Sequence, residues 1–141
     1  MKITQEADYA LRVIAYLTEV GQGEIVEAKT IAEQQAIPLR FSLKLLRKLQ
    51  KAGIVQSYRG IYGGYALHRP PSSVTFKEVI EAIEGPIYLN SCLDNINNCN
   101  LITAGSQCQV HQALAQIQSR FIKDLERVNF ENIKKPVFST K

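Results

Sequence analysis

Residues 36–67, AIPLRFSLKLLRKLQKAGIVQSYRGIYGGYAL, carry the pattern that decides the fold. In the first half of this stretch, apolar residues recur at the three- and four-residue spacing of one helical face, and they are Leu45, Leu46, Leu49 and Ala52. Pro38 disfavours helical geometry at the residue before it, and Gly53 is suited to ending a helix. We therefore predict a helix over about 40–52 that buries this apolar face.

The chain after Gly53 changes from a helical to a strand-like pattern. Residues 54–59 and 65–67 read as two short strands, because they are rich in β-branched and aromatic side chains. The loop 60–64 between them contains three glycines. This arrangement predicts an antiparallel β-hairpin with a glycine-bearing tip.

Two further helices are expected before the helix predicted over about 40–52. Thr4 is suited to capping the first, whose apolar face consists of Tyr9, Val13, Ile14, Tyr16, Leu17 and Val20. A short second helix is expected over about 28–35. Helix, short helix, break, helix and hairpin is the order of a winged helix-turn-helix, which we assign to residues 1–70.

Basic side chains are concentrated in this same region. Residues 1–70 contain ten Lys/Arg and six Asp/Glu, whereas residues 71–141 contain seven of each. No acidic residue occurs between Gln34 and Lys77, and the basic residues there are Arg40, Lys44, Arg47, Lys48, Lys51, Arg59, Arg69 and Lys77. Such a stretch indicates an anionic partner, although a solvated basic face is an equally common reason for it.

Double-stranded DNA suits this arrangement as the partner. A helix in the major groove presents exposed side chains to base edges, and the candidates here are Arg40, Phe41, Lys44, Arg47 and Lys48. On the hairpin, Arg59 is suited to a narrow minor groove, Tyr62 to packing on sugars, and Gly63 to close approach of the backbone. Two alternatives stay open, because Phe41 also fits a core position and Gly63 an ordinary turn.

The second half of the chain predicts a dimerisation helix. Apolar residues continue at helical spacing for five turns, and they are Ala113, Leu114, Ile117, Phe121, Leu125 and Val128. This stripe is too long for one small domain to cover, so we expect a homodimer that recognises a near-palindromic site. We assign residues 71–133 to a cysteine-bearing loop and this helix, and residues 134–141 to a loosely held tail.

Cysteine and histidine cluster in an aperiodic, polar stretch. Cys92, Cys99, Cys108 and His111 have the spacing Cys-x6-Cys-x8-Cys-x2-His. Thiolates and imidazole bind soft or borderline metals. Structural zinc sites usually contain a closely spaced cysteine pair, which is absent here, and long loops between cysteines are typical of a larger iron–sulphur cluster. Zinc and bare thiols remain alternatives.

Composition excludes several classes of protein. Apolar residues make up 45% and charged residues 21% of the chain, a balance typical of globular proteins. No apolar run reaches the ~18–20 residues of a membrane span, so we expect no membrane association. The opening residues contain no apolar signal-peptide segment, which predicts a cytoplasmic location. The three cysteines are an odd number and are therefore expected as thiols or metal ligands rather than as a disulfide set.

Several motifs together resemble the Rrf2 group of bacterial iron–sulphur transcription regulators, which includes the IscR, NsrR and RirA types. They are Asp8-Tyr-Ala-Leu-Arg12, Ala52-Gly-Ile-Val55, Arg59-Gly-Ile-Tyr-Gly-Gly-Tyr65, the helix Glu78–Gly85 and the three cysteines. The resemblance extends from residue 1 to about residue 133. It implies a homodimer with a winged helix-turn-helix on each side, no enzymatic turnover and no small-molecule substrate.

The resemblance also implies roles for individual residues. Cys92, Cys99 and Cys108 match the cluster ligands, and Arg59 matches the arginine that enters the minor groove. His111 matches the fourth ligand of a 2Fe–2S centre in IscR-like members, which we favour. Asp8 matches the fourth ligand of a 4Fe–4S cluster in NsrR-like members, where it comes from the other subunit. A zinc- or thiol-based winged-helix regulator, or less readily a small redox protein, is the competing interpretation.

Overall fold

A computed structural model describes residues 2–95 and 108–134 of the chain. The helices and strands of these residues are α1 (Gln5–Val20), α2 (Ala28–Gln35), α3 (Leu39–Lys51), β1 (Val55–Tyr58), β2 (Gly64–Leu67), α4 (Phe76–Glu84), α5 (Ser91–Asp94) and α6 (Gln109–Arg127). The predicted architecture, mainly helical with one small hairpin, is confirmed. Cys99 and nearly all of the predicted tail lie outside the described residues.

Helix α1 begins at its predicted cap and packs along its predicted apolar face. The Thr4 hydroxyl accepts a hydrogen bond from the backbone N–H of Ala7 at 3.2 Å, which satisfies one free donor of the first turn. Val13, Ile14 and Leu17 are fully buried. Helix α1 contacts α2, α3, α4 and β2, so it forms the centre of the winged helix-turn-helix.

The turn between α2 and α3 fixes the direction of α3. Ala36 has a left-handed conformation (φ 54°) and ends α2, and Ile37 is buried between the two helices. Helix α3 starts at Leu39, directly after Pro38, one residue earlier than predicted. Three leucines of its predicted face are fully buried, namely Leu45, Leu46 and Leu49. The expectation for Ala52 is wrong: it is exposed, because it caps the end of α3 after the buried face has stopped.

The hairpin, called the wing below, is attached to the segment before α2. Strands β1 and β2 are antiparallel, with Val55 opposite Leu67 and Tyr58 opposite Gly64. Tyr65 and Val26 exchange two backbone hydrogen bonds of 2.8 and 2.9 Å. A Cβ atom at Gly64 would lie 2.3 Å from the Val26 carbonyl oxygen, so only glycine permits this attachment.

Helix α4 joins the wing to the C-terminal half of the chain. Arg69, just after β2, donates hydrogen bonds of 2.5 and 2.6 Å to the two carboxylate oxygens of Glu78, and these bonds raise the pKa of Arg69. Both predicted regions, residues 1–70 and 71–133, contribute side chains to one hydrophobic core. Val74, Val79 and Ile83 of the second region belong to the same buried cluster as Leu45 of the first.

Phe130 closes this core from the C-terminal side. The chain leaves α6 at Val128, forms an antiparallel bridge between Asn129 and Thr75, and buries Phe130 completely against Phe76, with ring centroids 5.0 Å apart. The backbone N–H of Phe130 lies 3.2 Å from the carbonyl oxygens of Pro71 and Val74. This contact fixes the end of α6 against the start of α4.

Helix α6 contacts α4 and α5 but buries none of its own residues. In the part of the chain that the structure describes, no helix has the length and hydropathy needed to cross a membrane.

Removal of the Phe130 ring should be strongly destabilising. We expect Phe130→Ala to lower the free energy of unfolding by about 3–5 kcal/mol, because it leaves a cavity against Phe76. Urea unfolding measures the change. The matched control is Phe41→Ala, since Phe41 is exposed on α3, and it should cost about 1 kcal/mol or less. Equal losses in the two variants would contradict the assigned role of Phe130.

Candidate functional site

The outward face of α3 presents most of the side chains that were predicted to contact a partner. They are Arg40, Phe41, Lys44 and Arg47, all of which are exposed. The structure decides between the two alternatives for Phe41, which is 42% exposed and not a core residue. The guanidinium carbon of Arg40 lies 5.2 Å from the centre of the Phe41 ring, so the two side chains form one cationic and aromatic surface at the start of α3.

Lys48 was also predicted to contact the partner, but in the structure its side chain is paired within the protein. Its ammonium lies 2.9 Å from a Glu6 carboxylate oxygen and 3.3 Å from the carbonyl oxygen of Ile83, and the side chain is half-buried. Lys44 lies 3.8 Å from the same Glu6 oxygen but stays more exposed. The cause is the position of Lys48 at the edge of the buried face, where its stem reaches back toward α1 and α4. Sequence reasoning missed Glu6 as a partner, because no local pattern links it to α3.

The acid-free stretch therefore does not present all of its charges outward. Arg69 is paired with Glu78. Lys77 is paired with Glu81 at 2.8 Å and Glu126 at 3.6 Å, and the bond to Glu81 is the largest cause of its raised pKa. Glu78, Glu81 and Glu126 all follow the acid-free stretch in the sequence. Among the described residues, the bases of the stretch with no carboxylate partner are Arg40, Arg47, Lys51 and Arg59.

A surface hollow separates the wing from α2 and α3. Arg47 of α3 lines it, and Tyr58, Arg59 and Gly63 line it from the wing. Helix α2 starts at this hollow, and Glu27 at its N-cap makes no side-chain capping bond. Two arginines are groups that bind a phosphate, and the exposed acidic residue Glu27 also lines the hollow.

The wing ends in two exposed apolar side chains. Ile61 and Tyr62 are 89% and 90% exposed, and Arg59 is exposed beside them. The backbone N–H of Gly63 donates to the carbonyl oxygen of Gly60 at 3.0 Å, which closes the tip. Gly63 therefore does form a tight turn, and it also borders the hollow described above.

Two contacts of His111 link three of the four predicted metal-binding residues. Nδ1 of His111 is 3.3 Å from Sγ of Cys92, and Sγ of Cys108 accepts a hydrogen bond from the backbone N–H of His111 at 3.4 Å. Cys108 caps the start of α6, and α5 carries Cys92 against it. Within residues 2–95 and 108–134, no three His, Cys, Asp or Glu side chains converge closely enough to hold a metal ion. Cys99 lies between these two ranges.

Asp8 is on α1 and is engaged within its own chain. Its carboxylate lies 3.3 Å from the guanidinium of Arg12, which also donates to the carbonyl oxygen of Gln35 at the end of α2. The structure does not bring Asp8 together with Cys92, Cys108 and His111 within one chain.

The predicted apolar stripe of α6 faces two ways. Leu114, Phe121 and Leu125 are half-buried, and the last two line an apolar hollow with Ile80 of α4. Ala113 and Ile117 are exposed, and Ile117 keeps 51% of its surface accessible. Val110, which was not part of the stripe, adds a side chain that is 66% exposed. An uncovered apolar strip of this kind on a long helix is typical of a surface that another chain covers.

The sequence matches a known protein family over nearly its whole length. Residues 3–136 match the family described as Rrf2, iron-dependent transcriptional regulator. A Rhodobacter capsulatus protein named as an rrf2-like HTH-type transcriptional regulator is 29% identical over 136 residues, which cover 93% of this chain and 91% of that protein.

Solved structures share the fold over nearly the whole chain. CymR, the global cysteine regulator of B. subtilis, superposes with a TM-score of 0.73 at 24% identity, covering 94% of this chain and 95% of that one. IscR of T. potens superposes with a TM-score of 0.75 at 19% identity, covering 100% and 93%. At these identities the likeness shows a common fold.

Proposed function

The chain belongs to the Rrf2 family of iron-dependent transcriptional regulators, and on that premise we propose that it is a homodimer whose DNA affinity is controlled by an iron–sulphur cluster. It is a DNA-binding transcription regulator and, like its family, not an enzyme. We further propose a near-palindromic operator and a cytoplasmic site of action.

The contact between Cys92 and His111 carries the cluster proposal. It joins α5 to the start of α6, and Cys108 lies at the same place as the cap of α6. Two thiols and an imidazole are a suitable donor set for an iron–sulphur cluster, and Cys99 on the intervening segment supplies a third thiolate. When bound, such a cluster supplies a centre whose oxidation state and integrity respond to the chemistry of the cell. In this proposal Cys92 of α5 and Cys108 and His111 at the start of α6 would hold it.

The fourth ligand in this proposal is His111, which favours a 2Fe–2S centre. His111 is already in contact with one of the proposed cysteine ligands, whereas Asp8 is paired with Arg12 on a different helix. A 4Fe–4S cluster completed by Asp8 of the other subunit is the competing arrangement.

A second candidate is regulation by thiols alone. Cys92 and Cys108 are free and partly accessible, and no metal-binding group of three is formed by the described residues. In this alternative, oxidation of the thiols at the start of α6 takes the place of the cluster. The spectrum of the protein separates the two candidates.

The ligand assignment predicts which variants lose the cluster. We expect Cys92→Ala, Cys99→Ala and Cys108→Ser each to abolish iron and sulphide binding, because thiolates hold the irons. Serine is chosen at position 108 because its hydroxyl can still cap α6. Iron and sulphide content and visible absorbance after anaerobic purification give the result. His111→Ala should strip or convert the cluster, while Asp8→Ala should leave it intact.

Three other results would each replace part of this ligand assignment. A reversed outcome for His111 and Asp8 would establish the aspartate-ligated arrangement. A colourless wild-type protein whose DNA binding changes on thiol oxidation would establish the thiol-based alternative. A colourless protein that contains zinc would replace the cluster by a zinc site.

Dimerisation is proposed to cover the exposed strip of α6. We expect Ile117→Asp to weaken the dimer about 100-fold or more, because each of two equivalent isoleucines loses ~1.5–3 kcal/mol of burial. Analytical ultracentrifugation measures the dimer constant. The matched control is Ile25→Asp, an exposed isoleucine before α2 that should leave the dimer unchanged. A monomeric wild-type protein at micromolar concentration would contradict the proposal.

The DNA interface is proposed to use α3 and the hollow beside the wing. Because Arg47 has no carboxylate partner and Lys48 is held by Glu6, we expect the two residues to contribute differently. Arg47→Ala should reduce the slope of log Kobs against log salt by about one unit, and Lys48→Ala by clearly less. Binding to one duplex at several salt concentrations measures both slopes. An equal or larger loss in Lys48→Ala would show that Lys48 leaves Glu6 to contact DNA.

A further inference from the structure

We infer that Ile61 and Tyr62 form an apolar wedge that enters the minor groove of the operator and partly opens a base step. The inference rests on the proposed contact of the wing with DNA and adds how that contact selects sequence. Its starting observation is exposure: the two side chains are 89% and 90% accessible, more than any other large apolar side chain in the described part of the protein.

The wing holds these side chains rigidly away from the body of the protein. The tip is closed by the hydrogen bond from Gly63 to Gly60, and a Cβ atom at Gly63 would lie 2.4 Å from the carbonyl oxygen of Tyr58. The hairpin is also bonded to Val26 through Tyr65. A tip constrained by these hydrogen bonds loses less conformational freedom on burial than a free loop does, which favours its burial on a partner.

The shape of the tip suits the minor groove. Gly60 and Gly63 flank Ile61 and Tyr62 and have no side chains, so only two side chains project from a narrow turn. The minor groove is ≈ 6 Å wide, and apolar side chains inserted there partly unstack a step and bend the duplex.

Charge favours DNA over the other surfaces that could cover an apolar tip. Arg59 lies directly before the tip and is exposed. No acidic residue lies in the sequence between Gln34 and Lys77, so the wing contains none. Arg59 is the only charged residue of the wing, so its charge favours a polyanion over a second copy of the wing. The tip is also continuous with Tyr58, Arg59 and Gly63, which line the hollow between the wing and α3 that is proposed as part of the DNA interface.

Opening a base step has a cost that depends on sequence. Pyrimidine–purine steps such as TA are the most easily kinked, so a wedge selects such a step at a position where no hydrogen bond reads the bases. The specificity is therefore expected to come from deformation of the duplex under the wing.

The test uses the full-length protein, purified anaerobically, and a duplex selected by the wild-type protein from a random pool. The variants are Ile61→Ser and Tyr62→Ser, with Ile61→Val and Tyr62→Phe as matched controls that keep the apolar surface. Dissociation constants are measured on this duplex and on duplexes in which each TA step is changed to AT. Fluorescence transfer between dyes at the duplex ends reports the bend.

We expect each serine variant to bind the selected duplex about tenfold more weakly, since one apolar side chain is no longer removed from water. The preference for TA over AT and the bend should both shrink, whereas the controls behave as wild type. The salt slope should stay unchanged, because no phosphate contact is lost. Arg59→Ala, in contrast, should lower the slope by about one unit.

The possible failures are distinguishable. Serine variants that bind and bend DNA as wild type does would overturn the wedge and leave the proposed function intact. Serine variants that alter self-association or binding to anionic vesicles, with DNA affinity unchanged, would assign the tip to a protein or a lipid surface and also overturn the wedge. A wild-type protein that selects no duplex from the pool would overturn the proposed function itself.

Discussion

Helix α3 must bury one face completely while its opposite face stays free, and this division governs the arrangement of the other elements. Leu45, Leu46 and Leu49 have no accessible surface, while Arg40 and Arg47 on the same helix are exposed. Each fully buried leucine contributes ~1.5–3 kcal/mol, far more than any exposed ion pair, so packing sets the orientation of the helix. The charges then act on a surface that packing has already fixed. For this reason α1, α2, α4 and β1 all contact α3 from behind.

The sequence predicted well those elements whose conformation is determined by residues close to them in the chain. The end of α2, the break at Pro38 and the hairpin follow from backbone preferences and periodicity that neighbouring residues reveal. Ser42 is buried on the inner face of α3 among leucines, and its hydroxyl has no hydrogen-bond partner in the described part of the chain. The sequence pattern did not predict this burial, because serine is polar. Its burial depends on the elements packed against α3, which the local sequence pattern does not contain.

The features that sequence could not predict depend on distant residues. Phe130 follows α6 and belongs to no run of apolar residues at helical or strand spacing, yet it fills the space beside Phe76. Glu6 lies in the first turn of α1, where a negative charge is favourable, and it is also the partner of Lys48, 42 residues away. For the candidate site, the cysteine and histidine pattern identified Cys92, Cys108 and His111, but only coordinates show that the His111 imidazole lies 3.3 Å from Sγ of Cys92.

The position of Lys48 gives a physical route between the two halves of the protein. Its ammonium bonds to Glu6 of α1 and to the carbonyl oxygen of Ile83 in the last turn of α4. The next residue, Glu84, accepts hydrogen bonds from the backbone and hydroxyl of Thr4, the cap of α1. The chain then leaves α4 toward α5 and the cysteines. A displacement of the end of α4 therefore moves the groups that hold Lys48 and the start of α1 together.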